Sequence, residues 1–141
     1  MRTKSVGVLI FKDNQVLLVK HGTAARHING VFGFPAGRVD AGENEKQAAV
    51  RELFEEAGLN TRLEDLVEFP GNYVESTLEM KHGPEDFAFR VFLTEKYSGE
   101  LKGSDETEPQ WVDLSTIDSL PTIANVKDIV LNGLKYLQQN P

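Results

Sequence analysis

Three glutamates, Glu52, Glu55 and Glu56, stand in one short stretch with helical character. On a helix advancing about 100° per residue, Glu55 and Glu56 project at roughly −60° and +40° from Glu52, so the carboxylates share one narrow face. Glu45 projects onto the same face from about two turns earlier. Val50, Leu53, Phe54 and Ala57 fill the neighbouring arc, an apolar side for burial, and no Lys or Arg projects onto the acidic side. Like charges at this spacing cost a helix roughly 0.2–0.5 kcal/mol per pair. A hard divalent cation reverses that cost, because carboxylate oxygens suit Mg²⁺ and Mn²⁺. A solvated acidic face is the competing reading.

The flanking residues supply what positions these carboxylates. Gly37 and Gly42 permit a tight loop, Asn44 is a good N-cap with Gln47 in the capping-box place, and Gly58 stands where a left-handed residue ends a helix, with Leu59 folding back. Arg51 projects to a flank of the acidic face, within reach of Glu43 or a neighbouring carboxylate. The whole stretch reads G-x5-E-x7-R-E-U-x-E-E-x-G-U, U being aliphatic, with Gly37, Glu43, Arg51, Glu52, Glu55, Glu56 and Gly58 fixed and Leu53 and Leu59 at U. At ordinary residue usage such a match arises by chance less than about once in ten million windows.

This stretch, residues 37–59, resembles the signature of the Nudix hydrolases and matches it without departure. Just before it, relatives often have Trp where Phe32 stands and Gly-Gly where Ala36-Gly37 stands. The resemblance implies an α/β Nudix fold, an α/β/α sandwich with a mixed β-sheet, as one domain over residues 1–141. It implies Mg²⁺ (or Mn²⁺) held by Gly37, Glu52, Glu55 and Glu56, with one further acid from outside the box. Asp105, Glu106 and Glu108 are the candidates for that acid, and Glu108 is the one carried forward. Glu52, Glu55, Glu56 and Arg51 are the expected catalytic set, and Glu52 doubles as a candidate general base.

The implied reaction is metal-dependent hydrolysis of a nucleoside diphosphate linked to another moiety. Cations neutralise the phosphate oxygens and lower the pKa of the attacking water. A (deoxy)nucleoside triphosphate, cleaved to monophosphate and pyrophosphate, is the leading substrate reading. ADP-ribose-cleaving relatives often carry a Pro where Val74 and Glu75 stand, and dinucleoside-polyphosphate relatives a Tyr near Ser76 and Thr77. ADP-ribose, nucleotide sugars and dinucleoside polyphosphates stay open as alternatives. So do a noncatalytic module that binds a nucleotide or a partner and, more distantly, a cation-binding structural domain.

Composition sets outer bounds. The formal charge of −7, from 15 Lys plus Arg against 22 Asp plus Glu, argues against a nucleic-acid polymer or an anionic membrane surface as partner. The chain has no cysteine, which excludes disulfides, thiolate nucleophiles and Cys-ligated zinc. The N-terminal apolar run, residues 6–11, is a strand rather than a signal peptide, and no stretch approaches the roughly 20 apolar residues of a membrane helix. The expectation is a cytoplasmic protein, monomer or homodimer, with a small-molecule nucleotide as substrate.

The remaining elements must build a pocket for that substrate. Residues 5–11 and 15–20 read as a hairpin turning at Lys12-Asp13-Asn14, and 21–30 as a loop. Residues 63–69 and 73–80 read as extended, 81–86 as a turn, and 87–94 as a strand antiparallel to 73–80. A short strand at 110–112 and a helix over 123–138, interrupted by Gly133, complete the chain. Lys20, Arg26, Arg38, Arg90 and Asn125 are the candidate substrate contacts. Arg90 has a competing reading as a structurally paired strand residue, Asn125 as a cap or turn residue, Tyr73 as a core-edge aromatic rather than a base-stacking one, and His82 as a simple turn residue.

Overall fold

The structure is a computed structural model covering residues 1–141. Ten strands and two α-helices run in the order β1 (Thr3–Leu9), β2 (Phe11–Lys12), β3 (Gln15–His21), β4 (Phe32–Gly33), β5 (Ala36–Arg38), α1 (Glu45–Ala57), β6 (Leu59–Asn60), β7 (Tyr73–Met80), β8 (Gly83–Leu93), β9 (Ser98–Gly99), β10 (Thr107–Asp113) and α2 (Val126–Gln139). The main sheet has the order β5-β1-β8-β7; β1 and β8 are parallel and the other pairs antiparallel, so the sheet is mixed. A second sheet has the order β10-β3-β2, with β4 on β3. β6 and β9 form a small antiparallel pair.

The near-continuous apolar strands are explained by two cores, one on each face of the sheets. Val6, Val8, Ile10, Leu17 and Phe92 pack with Ala48, Ala49, Leu53 and Ala57 of α1. Leu9, Val16, Leu18, Val91 and Leu93 pack with Val126, Ile129 and Val130 of α2. Successive residues along β1, β3 and β8 therefore serve opposite layers, and the result is an α/β/α sandwich.

Four expectations need correction. The apolar run from Val6 to Phe11 is two strands: β1 pairs with β8 as far as Leu9↔Leu93, and only Phe11 and Lys12 form the hairpin with β3. Ile10 is the crossing point between the sheets. Leu63–Asp65 is a 3₁₀ turn rather than extended chain. β8 begins at Gly83, because Pro84–Asp86 already pair with Thr77–Glu79 of β7 and leave only Lys81 and His82 in the turn. Phe54, assigned to the buried arc of α1, is exposed, and Ala48 and Ala49 are buried in that layer instead.

Both ends of α1 are built as the sequence implies. Asn44 accepts from Gln47 N–H at 2.8 Å and its own N–H donates to the Gln47 side chain at 2.9 Å, a capping box worth about 1 kcal/mol. Gly58 takes φ 79°, and a Cβ there would meet Glu100 O at 2.7 Å. Gly133 in α2 is a packing glycine: a Cβ would run into Leu9 Cδ2. Gly133→Ala should therefore lower stability by about 1 kcal/mol, the overpacking outweighing the helix-propensity gain. Urea denaturation checks the sign.

Candidate active site

Helix α1 packs against β1 and β5, which turns Glu52 and Glu56 inward and leaves Glu55 exposed. Glu52 and Glu56 are only 9% and 8% exposed. Glu56 Oε1 accepts from Ala36 N–H at 2.8 Å. Glu52 lies against Gly37, where any Cβ would occupy the space of its carboxylate. The loop glycine is thus the floor on which Glu52 rests.

Arg51 is the hub of the acidic face. It donates to both oxygens of Glu43 at 2.8 and 2.9 Å, to Arg38 C=O at 2.9 Å, to Glu52 at 2.7 Å and to Glu55 at 3.2 Å. Projection along the helix axis placed no basic residue on that face, but the guanidinium is long enough to fold across it. Glu45 does not join the cluster; it pairs with Arg90 at 3.3 Å.

Burial pushes Glu56 up to about 8 against the opposing Ala36 hydrogen bond, with Glu52, Glu106 and Glu55 adding to the rise. Burial also pushes Glu52 up to about 7, although Arg51 pulls the other way. Two buried carboxylates that resist ionising on their own are a fit for a hard divalent cation, which would supply the missing charge. As the side chains stand, no three acids or histidines are gathered into a ready metal cluster, because Glu52 is engaged by Arg51 and Glu55 points outward.

The two buried glutamates line a cavity of about 300 Å³, the lower end of the usual range for ligand pockets. Arg26 and Arg38 line it as expected, and Arg38 is held by Glu85 at 2.9 Å. Lys20, Arg90 and Asn125 do not line it. Lys20 is exposed beside Glu108 in the β3–β10 pair. Phe87 and Phe89 face the cavity, so Arg90, the residue after Phe89, faces the α1 layer, where it pairs with Glu45 and Glu68 and lies 4.8 Å over the Tyr73 ring. Tyr73 shares that outer face, away from the cavity. Asn125 adopts φ 75° at the start of α2 and its side chain caps nothing.

Among the three candidate outside acids, Glu106 lines the cavity; Glu108, the one carried forward, is exposed on β10 and does not. His82 sits in the β7–β8 turn with Nε2 3.1 Å from Glu85. Two cavity residues, His21 and His27, were missed as candidates. The apolar wall was half visible, since the alternation Val74, Ser76, Leu78, Met80 is the face of β7 that lines the cavity. Gly37→Ala should displace the Glu52 carboxylate and lower any cation-dependent turnover about tenfold or more, with a stability loss of about 1–2 kcal/mol. Steady-state kinetics and thermal unfolding check the two parts.

The fold and the sequence have counterparts among known proteins. A solved MutT NUDIX hydrolase from Burkholderia pseudomallei superposes with a TM-score of 0.77 at 24% identity, covering 94% of this chain and 98% of that one. An oxidized purine nucleoside triphosphate hydrolase of Danio rerio is 38% identical over 112 residues, 78% of this chain and 65% of that protein. An ADP-ribose pyrophosphatase of Methanocaldococcus jannaschii is 32% identical over 117 residues, 82% of this chain and 64% of that protein. The chain thus spans just under two thirds of both curated relatives. The NUDIX domain model matches residues 1–132, which takes in the arginine-braced carboxylates, the Gly37 floor and most of the cavity wall: the chain belongs to the NUDIX family.

Proposed function

We propose that this chain hydrolyses a nucleoside diphosphate linked to another moiety, with a (deoxy)nucleoside triphosphate, cleaved to monophosphate and pyrophosphate, as the leading substrate. The observation that carries the proposal is the pair of buried carboxylates, Glu52 and Glu56, in a cavity that also presents Phe34, Phe87 and Phe89. A polyphosphate approaches these acids only with a cation between, and Mg²⁺ or Mn²⁺ held by Glu52, Glu56, Glu55 and Glu106 would screen the phosphate charge and activate water. Arg26 and Arg38 supply fixed positive charge along the same cavity.

In the reaction a water oxygen bonds to one phosphorus of the pyrophosphate. The bond from that phosphorus to the bridging oxygen breaks, and its electron pair leaves with the bridging oxygen, on pyrophosphate for attack at the α phosphorus and on the nucleoside monophosphate for attack at the β phosphorus. One proton of the water passes to a base, for which Glu52 is placed beside the loop floor. Arg51 is a positioning residue that fixes Glu52, Glu55 and Glu43. Arg51→Ala should cost about 10–100-fold in turnover, with Arg51→Lys recovering only part because one ammonium cannot replace the fork.

The proposed partner is a small nucleotide rather than a nucleic-acid polymer or an anionic membrane surface, which the net charge of −7 supports, and the proposed setting is the cytoplasm, as monomer or homodimer; no helix is long and apolar enough to cross a membrane. The archaeal relative's name keeps ADP-ribose as the second substrate reading. The test is phosphate or pyrophosphate release from nucleoside triphosphates, 8-oxo-dGTP, ADP-ribose, nucleotide sugars and dinucleoside polyphosphates, with Mg²⁺ or Mn²⁺. Turnover of one class supports the enzyme and names its substrate. Nucleotide binding without turnover of any class would leave a noncatalytic module.

A further inference from the structure

The cavity that the glutamates line is also walled by Phe34, Leu78, Met80, Phe87 and Ile123, and a buried histidine is set into it. His21, the last residue of β3, is 6% exposed, and its Nδ1 is the one buried side-chain polar atom in the protein without a hydrogen-bond partner. The His27 ring lies against it, centroids 4.6 Å apart and tilted by 51°. Main-chain bonds set this arrangement. Gly30 N–H donates to His21 C=O at 2.8 Å, Lys81 N–H to Arg26 C=O at 2.9 Å, and His27 is bridged to Met80. Lys81 Nζ ties the loop again through the carbonyls of Gly22 and Thr23 at 3.1 and 2.9 Å.

Burial, with His27 and Lys81 close by, holds the His21 ring neutral, its pKa lowered to about 4. A neutral imidazole carries one N–H. Orphaned N–H groups are rarer in protein interiors than orphaned acceptors, so the sealed Nδ1 is the bare lone pair and Nε2 carries the hydrogen. The Nε2 edge lies beside Gly33, 3.5 Å from where a Cβ would stand, and that Cβ would also press on Ile123 Cδ1 at 2.8 Å. Glycine at this position lets the Ile123 side chain and the Nε2 edge both pack over the strand.

We infer that His21 reads the base of the bound nucleotide, its Nε2–H donating to a carbonyl oxygen or ring nitrogen on the base edge within the cavity that His21 lines. The inference rests on the cavity taking a nucleotide, as proposed above. The partner is a base rather than a phosphate, because a neutral ring with one N–H cannot replace the hydration of a polyanion, whereas Arg26 and Arg38 carry charge for that purpose. Flat faces at Phe34, Phe87 and Phe89 suit a heteroaromatic ring.

The test begins on ¹⁵N-labelled wild-type protein, with long-range ¹H–¹⁵N correlation of the imidazoles at pH 7, the three histidines being assigned by single substitution. The expected result is the Nε2–H tautomer at His21, with an Nε2 resonance that moves on addition of GMP or AMP without metal and stays put with ribose 5-phosphate. An Nδ1–H or charged ring, or an equal response to ribose 5-phosphate, would overturn the inference. In turnover, His21→Phe should lower kcat/KM for the preferred base about tenfold through KM and level the ranking among ATP, GTP, CTP, UTP and 8-oxo-dGTP, with His21→Gln restoring part of it. A folded His21→Phe protein with the wild-type ranking and KM would refute base reading. Wild-type protein that turns over none of these would count against the hydrolase proposal instead, and the resonance arm would still decide His21.

Discussion

Glu56→Gln should lower cation-dependent nucleotide hydrolysis about a thousandfold while leaving the fold intact. The substitution is nearly isosteric, and an amide can still accept the Ala36 N–H that Glu56 Oε1 accepts at 2.8 Å, so the loop into β5 keeps its tie to α1. What is removed is the negative charge deepest in the site. A cation's stabilisation of the reacting phosphate is worth several kcal/mol, and each 1.36 kcal/mol is tenfold in rate. The measurement is kcat against Mg²⁺ or Mn²⁺ concentration for wild type and variant. Cation-induced thermal stabilisation should disappear in parallel. Unchanged turnover at saturating cation would remove Glu56 from the metal set and with it the proposed scheme.

The box was legible because its chemistry is local. Asn44, Gln47 and Gly58 end a helix by rules that act over four residues, and the spacing of Arg51, Glu52 and Glu56 fixes their relative directions whatever surrounds them. The pocket was not legible in the same way. Ser5, His21, Phe34, Met80, Phe89 and Ile123 meet in one cavity only because β1 runs parallel to β8 and Ile123 N–H donates to Phe32 C=O at 2.9 Å. Arg90 shows the limit most clearly. In a strand buried on both faces its apolar neighbours point both ways, so alternation could not say which face was the cavity. Glu106 and Glu108 stand two residues apart and so share one parity, which leaves alternation unable to choose between them; Glu106 meets the cavity from the bend before β10 begins at Thr107, while Glu108 is held in the strand beside Lys20. His21 carried no signal because an orphaned nitrogen is a property of packing, not of spacing.

Metal-free protein should lose stability as pH rises from about 6.5 to 8, by about 2 kcal/mol. Folding raises the pKa of Glu56 from an ordinary 4.5 to about 8 and that of Glu52 to about 7, so in this window the native state binds more protons than the unfolded chain. Stability linked to these groups is complete below the unfolded value and is lost as pH climbs through the folded ones. His21 and His27 act in the opposite sense, since folding lowers both, and the unfolded imidazoles, half protonated near about 6.5, offset part of the loss until about pH 7.5. Glu43, held down to about 2 by Arg51, is ionised in both states throughout. The two buried glutamates therefore set the sign of the slope across the window and carry it alone in its upper part. In EDTA the wild-type melting temperature should fall by roughly 5–8 °C across it, and Glu56→Gln should flatten most of the slope. Saturating Mg²⁺ should reverse the trend, because a bound cation requires the carboxylates deprotonated and its stabilisation grows with pH. A metal-free melting temperature that rises over the same window would mean that Glu52 and Glu56 ionise freely where they stand, and that a cation has no buried charge deficit to fill.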